Sequence, residues 1–198
     1  MRLALHLLDC LEQNTELGGV SDSPEAYGMR DRFMACNVLW ILVQEEKRGN
    51  RCIFVSGHNG HVEQSGAYGP DQKVMGNLLA DELGESYYAI GTDFFEAEVN
   101  LPEGGKRMTH TFYSYDPLAK AADTCGYDTC WLDFSRVPDD AELARSINEP
   151  IMMGSVGEMF SPLMYVLPQT YRIKREPAGM YDSMIFVTHG HPTQIKAK

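Results

Sequence analysis

The chain has 198 residues, of which 43% are hydrophobic and 23% are charged, and its formal net charge is −11. This size and apolar content allow a substantial core and exclude intrinsic disorder, and no basic cluster is present to bind nucleic acid or an anionic membrane surface. No run approaches the ~20 apolar residues of a membrane span, and the first residues do not resemble a signal peptide. We therefore expect a single α/β domain over residues 1–198, located in the cytoplasm.

Helical periodicity and one short apolar run organise the first half of the chain. The predicted elements are an amphipathic helix around Leu3, Leu7 and Leu11, a helix from Pro24 to about Glu46, a strand at Cys52–Val55, a glycine-rich loop from His58 to Pro70 and a helix at Val74–Leu83. The apolar stripe of the second helix is Met29, Phe33, Cys36, Leu39, Trp40 and Val43. A strand directly after a long helix is typical of an α/β unit with buried parallel strands.

Strands and short helices alternate through the second half. The predicted elements are a strand at 86–94, a hairpin with arms 99–101 and 108–113 around a turn at 103–105, a helix from Asp116 to near Gly126, a strand at 130–134, a helix at 139–147, an irregular segment at 151–171 and a last strand at 181–187. This order predicts an α/β layered fold, with a mostly parallel sheet and flanking helices.

The five cysteines are scattered along the chain and odd in number. That pattern is typical of free thiols in a reducing compartment rather than of a disulfide framework. Cys125 and Cys130 have the spacing of half a metal site, but a closed zinc site needs four ligands and no second pair completes it. We therefore expect no metal here.

Two histidines and an asparagine follow the predicted strand, in the segment Gly57–His61. Ligands of open α/β sheets bind beyond the carboxyl ends of strands, so His58 and His61 are candidates for a base or an electrophile. Asn59 supplies an amide that can orient a substrate. The alternative is a pair of loop histidines with purely structural hydrogen bonds. Zinc would need further ligands, and neither Glu63 nor Asp93 is a compelling one.

An arginine on the long helix is the second candidate. Arg30, Met34 and Asn37 lie within two helical turns and share one face. A guanidinium there can hold a carboxylate or polarise a carbonyl, with Asn37 beside it. The alternative is an ion pair on the helix surface, which contributes little to stability.

Four short motifs occur in a fixed order, RDRFMACN at 30–37, HNGH at 58–61, MGNLL at 75–79 and YAIG at 88–91. Together they resemble the erythromycin esterase family, which includes macrolide esterases and relatives labelled as succinoglycan biosynthesis proteins. The likeness covers about residues 25–190. It implies attack of water on an ester or macrolactone carbonyl, without a metal or other cofactor. It also places Arg30, His58 and His61 in the active site. Asn59, in the same loop as the histidines, and Asn37, on the same helix face as Arg30, are expected to contact the substrate.

The same resemblance sets expectations about completeness. Family members are about twice this length, and their principal general base, a histidine near a glutamate, lies in a preceding half. We therefore expect this chain to be a C-terminal half that is weak or inactive alone and that self-associates through exposed apolar surface. The expected partner is a small ester or macrolactone. The alternative function is a non-catalytic ligand-binding or assembly fragment, and a metallohydrolase is a third possibility.

Overall fold

The computed structural model describes residues 24–66 and 73–193. The chain forms two compact units, Met1–Ala89 and Ile90–Lys198. The helix predicted around Leu3, Leu7 and Leu11 lies outside the described residues. Within the described ranges, no helix is both long enough and apolar enough to cross a membrane.

Helices form the described part of the first unit. They are α1 (Pro24–Lys47), α2 (Asn59–Val62) and α3 (Met75–Leu83), and a 3₁₀ turn at Gly84–Ser86 follows α3. The core that they share consists of buried apolar side chains: Ala35, Leu39, Val62, Met75 and Leu79. These helices confirm the two longer predicted helices and place a third, short one in the predicted loop.

The buried face of α1 differs from the predicted stripe. Asp31, Ala35 and Leu39 are spaced four residues apart and are all buried, whereas Trp40 is 53% exposed. The prediction for Trp40 was therefore wrong, because the face that packs on α2 and α3 passes through Ala35 and Leu39. The carboxylate of Asp31 lies at the N-terminal end of this buried face.

The predicted strand at Cys52–Val55 is absent, since residues 51–58 are neither helical nor paired as a strand. The side chain of Phe54 is 85% exposed, and Val55 is exposed as well. A strand needs a hydrogen-bonded neighbour, and the described part of this unit contains only helices. Most side chains of this apolar run are therefore exposed to solvent.

A four-stranded sheet forms the centre of the second unit, in the order β2-β1-β6-β3. Its strands are β1 (Ile90–Glu103), β2 (Lys106–Tyr113), β3 (Thr129–Asp133) and β6 (Ser183–Gly190). Only the β1–β6 pair is parallel; β2 and β3 run antiparallel to their neighbours. The α/β class is confirmed, but the expectation of a mostly parallel sheet was wrong, because a tight hairpin forces β1 and β2 to be antiparallel.

The residues of the hairpin turn account for its backbone conformation. Gly104 and Gly105 have φ of 57° and 79°, and glycine adopts positive φ at the centre of a two-residue hairpin turn without steric cost. Glu103 pairs with Lys106 across it. The predicted turn is therefore confirmed.

Shorter elements complete the second unit. They are α4 (Pro117–Thr124), α5 (Glu142–Asn148), α6 (Leu163–Val166), α7 (Pro177–Met180), 3₁₀ turns at Phe134–Arg136 and Pro168–Tyr171, and a separate antiparallel pair of β4 (Ile151–Gly154) and β5 (Arg172–Arg175). Leu101, Phe112 and Tyr171 form one buried core cluster of this unit. The segment predicted as irregular thus contains a strand and a short helix.

The expectation that all the cysteines are free thiols is wrong for one of them. Cys36 is disulfide-bonded, whereas Cys52, Cys125 and Cys130 are free. Cys52 and Cys125 are also exposed rather than buried.

Candidate functional site

A hydrogen-bonded chain of three side chains joins α1 to α2. Nδ1 of His61 lies 2.8 Å from Oδ1 of Asp31, and Nε2 of the same ring lies 2.9 Å from a terminal nitrogen of the Arg30 guanidinium. A guanidinium only donates, so Nε2 must accept. The ring proton is therefore on Nδ1, from which it is donated to Asp31.

The carboxylate of Asp31 is fully buried and connects three helices. Besides the His61 ring, its Oδ1 accepts from the backbone N–H of Met75 at 2.9 Å, at the start of α3. Its Oδ2 has no hydrogen-bond partner among the described residues. A buried carboxylate is costly unless it is hydrogen-bonded. Asp31 thus fixes the Nδ1–H tautomer of His61 and the position of α3 together.

His58 has the opposite tautomer. Its Nδ1 accepts from the backbone N–H of Gly60 at 3.1 Å, which caps the start of α2. When the ring is neutral, the proton must then be on Nε2. The rings of His58 and His61 lie 6.3 Å apart between centroids, at an angle of 71°. The pair therefore offers one outward N–H donor, on His58, and one acceptor, which Arg30 uses.

Hydrogen bonds of Glu63 and Tyr87 hold the segment that carries the histidines. Oε2 of Glu63 accepts from the N–H and Oγ–H of Ser65, at 2.5 and 2.6 Å, and from the N–H of Gly66 at 3.1 Å. The hydroxyl of Tyr87 donates to the carbonyl of Val62 at 2.6 Å. These bonds fix the chain immediately after His61.

Gly76 allows α3 to approach this segment. A Cβ at that position would lie 2.2 Å from the carbonyl oxygen of Glu63 and 2.4 Å from that of Val62. Backbone atoms cannot move aside as a flexible side chain does. Only glycine fits here, which gives the Met75–Gly76 pair of the motif a physical reason.

The predicted site residues fall into two groups. Arg30 and His61 are in direct contact and His58 is beside them, so these three come together. Asn59 is the first residue of α2 and is half-buried. Asn37 is exposed two turns beyond Arg30, which is about 10 Å along the helix axis, and it takes no part in the Asp31–His61–Arg30 chain.

Asp31 is the residue that sequence reasoning missed. The sequence interpretation names Arg30, Met34 and Asn37 on this helix but not Asp31, which is fully buried. The signal was its position four residues before Ala35 and eight before Leu39, on one helical face. A carboxylate in register with buried residues points to a buried partner.

No group of three or more histidine, cysteine or acidic side chains that could hold a metal ion occurs in the described part of the chain. Both ring nitrogens of His61 are already in hydrogen bonds. Glu63 directs Oε2 to the turn at Ser65 and Gly66. The arrangement is that of an imidazole clamped between a carboxylate and a guanidinium.

Solved structures share this fold. A succinoglycan biosynthesis protein superposes with a TM-score of 0.68 at 19% identity, over 89% of this chain and 42% of that one. A protein from Bacillus cereus gives 0.67 at 20% identity, over 88% and 41%. A mutant of the erythromycin esterase EreC, in its open conformation, gives 0.50 at 17% identity, over 98% and 43%. The chain thus spans about two fifths of the length of these proteins.

None of the curated proteins compared with the chain matches it. The family model described as erythromycin esterase matches residues 2–190, which is nearly the whole sequence. The motif residues Arg30, His58 and His61 all fall within that match. The chain therefore belongs to the erythromycin esterase family.

Proposed function

We propose that this chain supplies the arginine and histidine part of a site that hydrolyses an ester or macrolactone by attack of water. Membership of the erythromycin esterase family supports a hydrolase. The observation that carries the proposal is the chain from buried Asp31 through His61 to the guanidinium of Arg30. A side chain as long as arginine loses much rotamer freedom when it is held this way. Such an arrangement is typical of a side chain that must hold one orientation toward its ligand.

In this proposal Arg30 stabilises the developing negative charge. The Arg30 guanidinium carries five N–H donors, of which one contacts His61, and in the proposed reaction another donates to the carbonyl oxygen of the substrate. The Nε2–H of His58, whose ring lies beside that of His61, is proposed as a second donor. Donors aimed at an oxyanion commonly contribute about 10²–10³-fold to the rate. His61 and Asp31 act as positioning residues, because they hold Arg30 rather than touch the substrate.

The reaction itself is a simple addition and elimination. The oxygen of water bonds to the carbonyl carbon, and the carbonyl oxygen becomes an oxyanion that Arg30 and His58 stabilise. The intermediate then collapses with loss of the alcohol, which takes up the proton that water gave to the base. We place that base in the additional length that the relatives have, as the family resemblance implies. Asn59 and Asn37 are proposed as contacts to the rest of the substrate.

Ester hydrolysis by the full 198-residue chain tests this proposal, with an activated phenyl ester and a macrolactone as probes. We expect a slow rate above the buffer rate, lowered at least tenfold by Arg30→Ala. His61→Ala should lower the rate similarly. Arg30→Lys should have a smaller effect in the His61→Ala background than in the wild type, since both residues act through one guanidinium. Arg32→Ala, at the neighbouring helical position, is the matched control and should leave the rate unchanged. Equal rates for Arg30→Ala and Arg32→Ala would contradict the assignment.

A second function, a ligand-binding fragment without turnover, is favoured by one observation. Nε2 of His61, the nitrogen best placed to act as a base, is occupied by Arg30. In that case the macrolactone binds with a measurable affinity that Arg30→Ala weakens, while no hydrolysis occurs above the buffer rate. Calorimetric titration beside the hydrolysis assay separates the two functions for this chain alone, because binding without turnover shows that the chain by itself binds the macrolactone and does not hydrolyse it.

Further properties of the chain are also proposed. We propose a single α/β domain for the chain, a cytoplasmic location, no metal or other cofactor, and a small ester or macrolactone as the partner. Self-association is proposed from the exposed run at Cys52–Val55.

A further inference from the structure

Two free thiols are neighbours in the second unit, whereas Arg30, His58 and His61 belong to the first. Cys125 is exposed at the carboxyl end of α4, and Cys130 is partly exposed on β3. Cys125 is near enough to contribute, after burial, to the raised pKa of the Cys130 thiol. A disulfide between two cysteines requires their Cβ atoms to lie about 3.5–4.5 Å apart.

The backbone, rather than a chance side-chain rotamer, holds these cysteines together. The carbonyl oxygen of Ala122 accepts from the backbone N–H of Cys125 at 3.1 Å and from Sγ of Cys130 at 3.6 Å. One atom of α4 therefore contacts both residues. Gly126 reverses the chain between them with a φ of 73°.

The connecting loop is also tied to the sheet. Thr188 on β6 donates its N–H to the carbonyl of Asp128 at 3.0 Å. Its hydroxyl contacts the carbonyls of Tyr127 and Asp128 at 3.1 and 3.2 Å. The loop between the two cysteines is thus held by α4, β3 and β6 together.

We propose that Cys125 and Cys130 form a thiol–disulfide exchange site that a small disulfide, such as glutathione disulfide, oxidises to an intramolecular disulfide. The thiolate of Cys125 attacks one sulfur of the small disulfide and releases one small thiolate. Cys130 then loses its proton and attacks the sulfur of Cys125, which releases the second small thiolate. The two protein thiols give up two electrons and two protons, and the small disulfide becomes two thiols.

The order of these steps follows from exposure. Cys125 is open to a reagent in solution, whereas burial, with Cys125 as a second cause, raises the pKa of the Cys130 thiol. A thiol is a poor nucleophile compared with its thiolate. Cys130 therefore serves as the resolving residue, which attacks once its neighbour carries a leaving group.

A metal is the competing use of two adjacent thiols. A closed zinc site needs four ligands, and within residues 24–66 and 73–193 no cluster of three candidate ligands exists. Disulfide exchange needs only these two neighbouring thiols. The observations therefore favour exchange.

The test is incubation of the native, full-length protein with glutathione disulfide, followed by alkylation and peptide mass analysis. Cleavage after Lys120 and Arg136 puts both cysteines on one peptide, 121–136, with no arginine or lysine between them. We expect this peptide to lose two hydrogens and to resist alkylation, and a reductant should reverse both changes. Cys52, an exposed free thiol, is the control within the same molecule and should form only a glutathione adduct.

Two variants separate exchange from simple reactivity. In Cys130→Ser the resolving thiol is gone, so Cys125 should accumulate a mixed disulfide about tenfold above the wild-type level. In Cys125→Ser, Cys130 should stay mostly reduced, and circular dichroism of both variants checks the fold. The proposal is overturned if the wild-type peptide carries two separate adducts, or stays reduced while Cys52 is modified. Neither outcome bears on ester hydrolysis, because Arg30 and His61 are unchanged.

Discussion

The buried carboxylate of Asp31 receives the Nδ1–H of His61 across 2.8 Å, and this single bond decides which nitrogen of the ring faces Arg30. The same oxygen accepts the N–H of Met75. Asp31 is therefore both a structural tie between helices and the residue that sets the chemistry of the histidine.

Replacement of Asp31 should destabilise the protein. In Asp31→Ala the N–H groups of Met75 and His61 lose their acceptor, and buried unsatisfied donors cost about 1–3 kcal/mol each. We expect the free energy of unfolding to fall by about 2–3 kcal/mol, measured by urea denaturation. Asp81→Ala removes an exposed ion pair with Lys73 and is the control, with an expected change below about 0.5 kcal/mol. Similar urea midpoints for the two variants would show that the Asp31 contacts are dispensable.

Gly76→Ala should disturb the site without touching any of its side chains. The added methyl group would meet two backbone carbonyls, so α3 or the histidine segment must shift. We expect a loss of about 2 kcal/mol or more in urea denaturation. Gly28→Ala, on α1, is the matched control, because none of the described residues lies within 4 Å of its Cβ. That change should raise stability by about 0.5–1 kcal/mol, and a loss as large as that of Gly76→Ala would refute the steric argument.

Asp93 on β1 should make the stability of the protein depend on pH. Burial, together with the nearby charge of Asp116, raises the pKa of Asp93 well above its ordinary value. The folded state thus binds this proton more tightly than the unfolded state does. Its contribution is complete below the ordinary pKa of aspartate, and it is lost as pH rises through the raised value.

Thermal unfolding of the wild type and of Asp93→Asn at pH 5 and pH 8 measures this effect. The variant cannot ionise at that position, so its Tm should improve relative to the wild type as pH increases. Asp139→Asn, at an exposed position, should follow the wild type at both pH values. If the difference in Tm between Asp93→Asn and the wild type does not change with pH, Asp93 does not titrate as described.

The exposed run at Cys52–Val55 should drive self-association. Phe54 is 85% exposed, and an extended segment with unpaired backbone groups pairs readily with another chain. We expect the sedimentation coefficient of the wild type to rise with protein concentration, and this dependence to be largely lost in Phe54→Asp. Val166→Asp changes a side chain in the second unit that is 74% exposed and serves as the control. A wild-type protein that sediments as a monomer at every concentration would remove the basis for this prediction.

Local signals in the sequence predicted much of the fold. Pro24 indicated the start of α1, and the Gly104–Gly105 pair indicated the hairpin, because helix starts and turns depend on nearby residues. The strand at Cys52–Val55 was wrong for the opposite reason. Whether an apolar run becomes a strand depends on a pairing partner elsewhere, which periodicity does not reveal.

The site was predicted with similar limits. Arg30 and His61 were named separately from their motifs, but nothing in their spacing placed them in contact across 31 positions. Asp31 was missed because charged residues are seldom fully buried unless they are paired. Its helical register with Ala35 and Leu39 indicates burial, but its partners, Met75 and His61, lie far away in sequence and no local pattern identifies them.

The close fit of Gly76 beneath the Val62 and Glu63 carbonyls also has a practical consequence for protein engineering. Libraries intended to alter substrate range can randomise outward positions such as Asn37, because a new side chain there meets solvent first. Randomisation of Gly76 would instead yield mostly misassembled variants, and their lost activity would be misread as evidence about recognition. Tolerance to substitution in this chain is thus expected to follow how closely two backbones approach, rather than distance from the histidines.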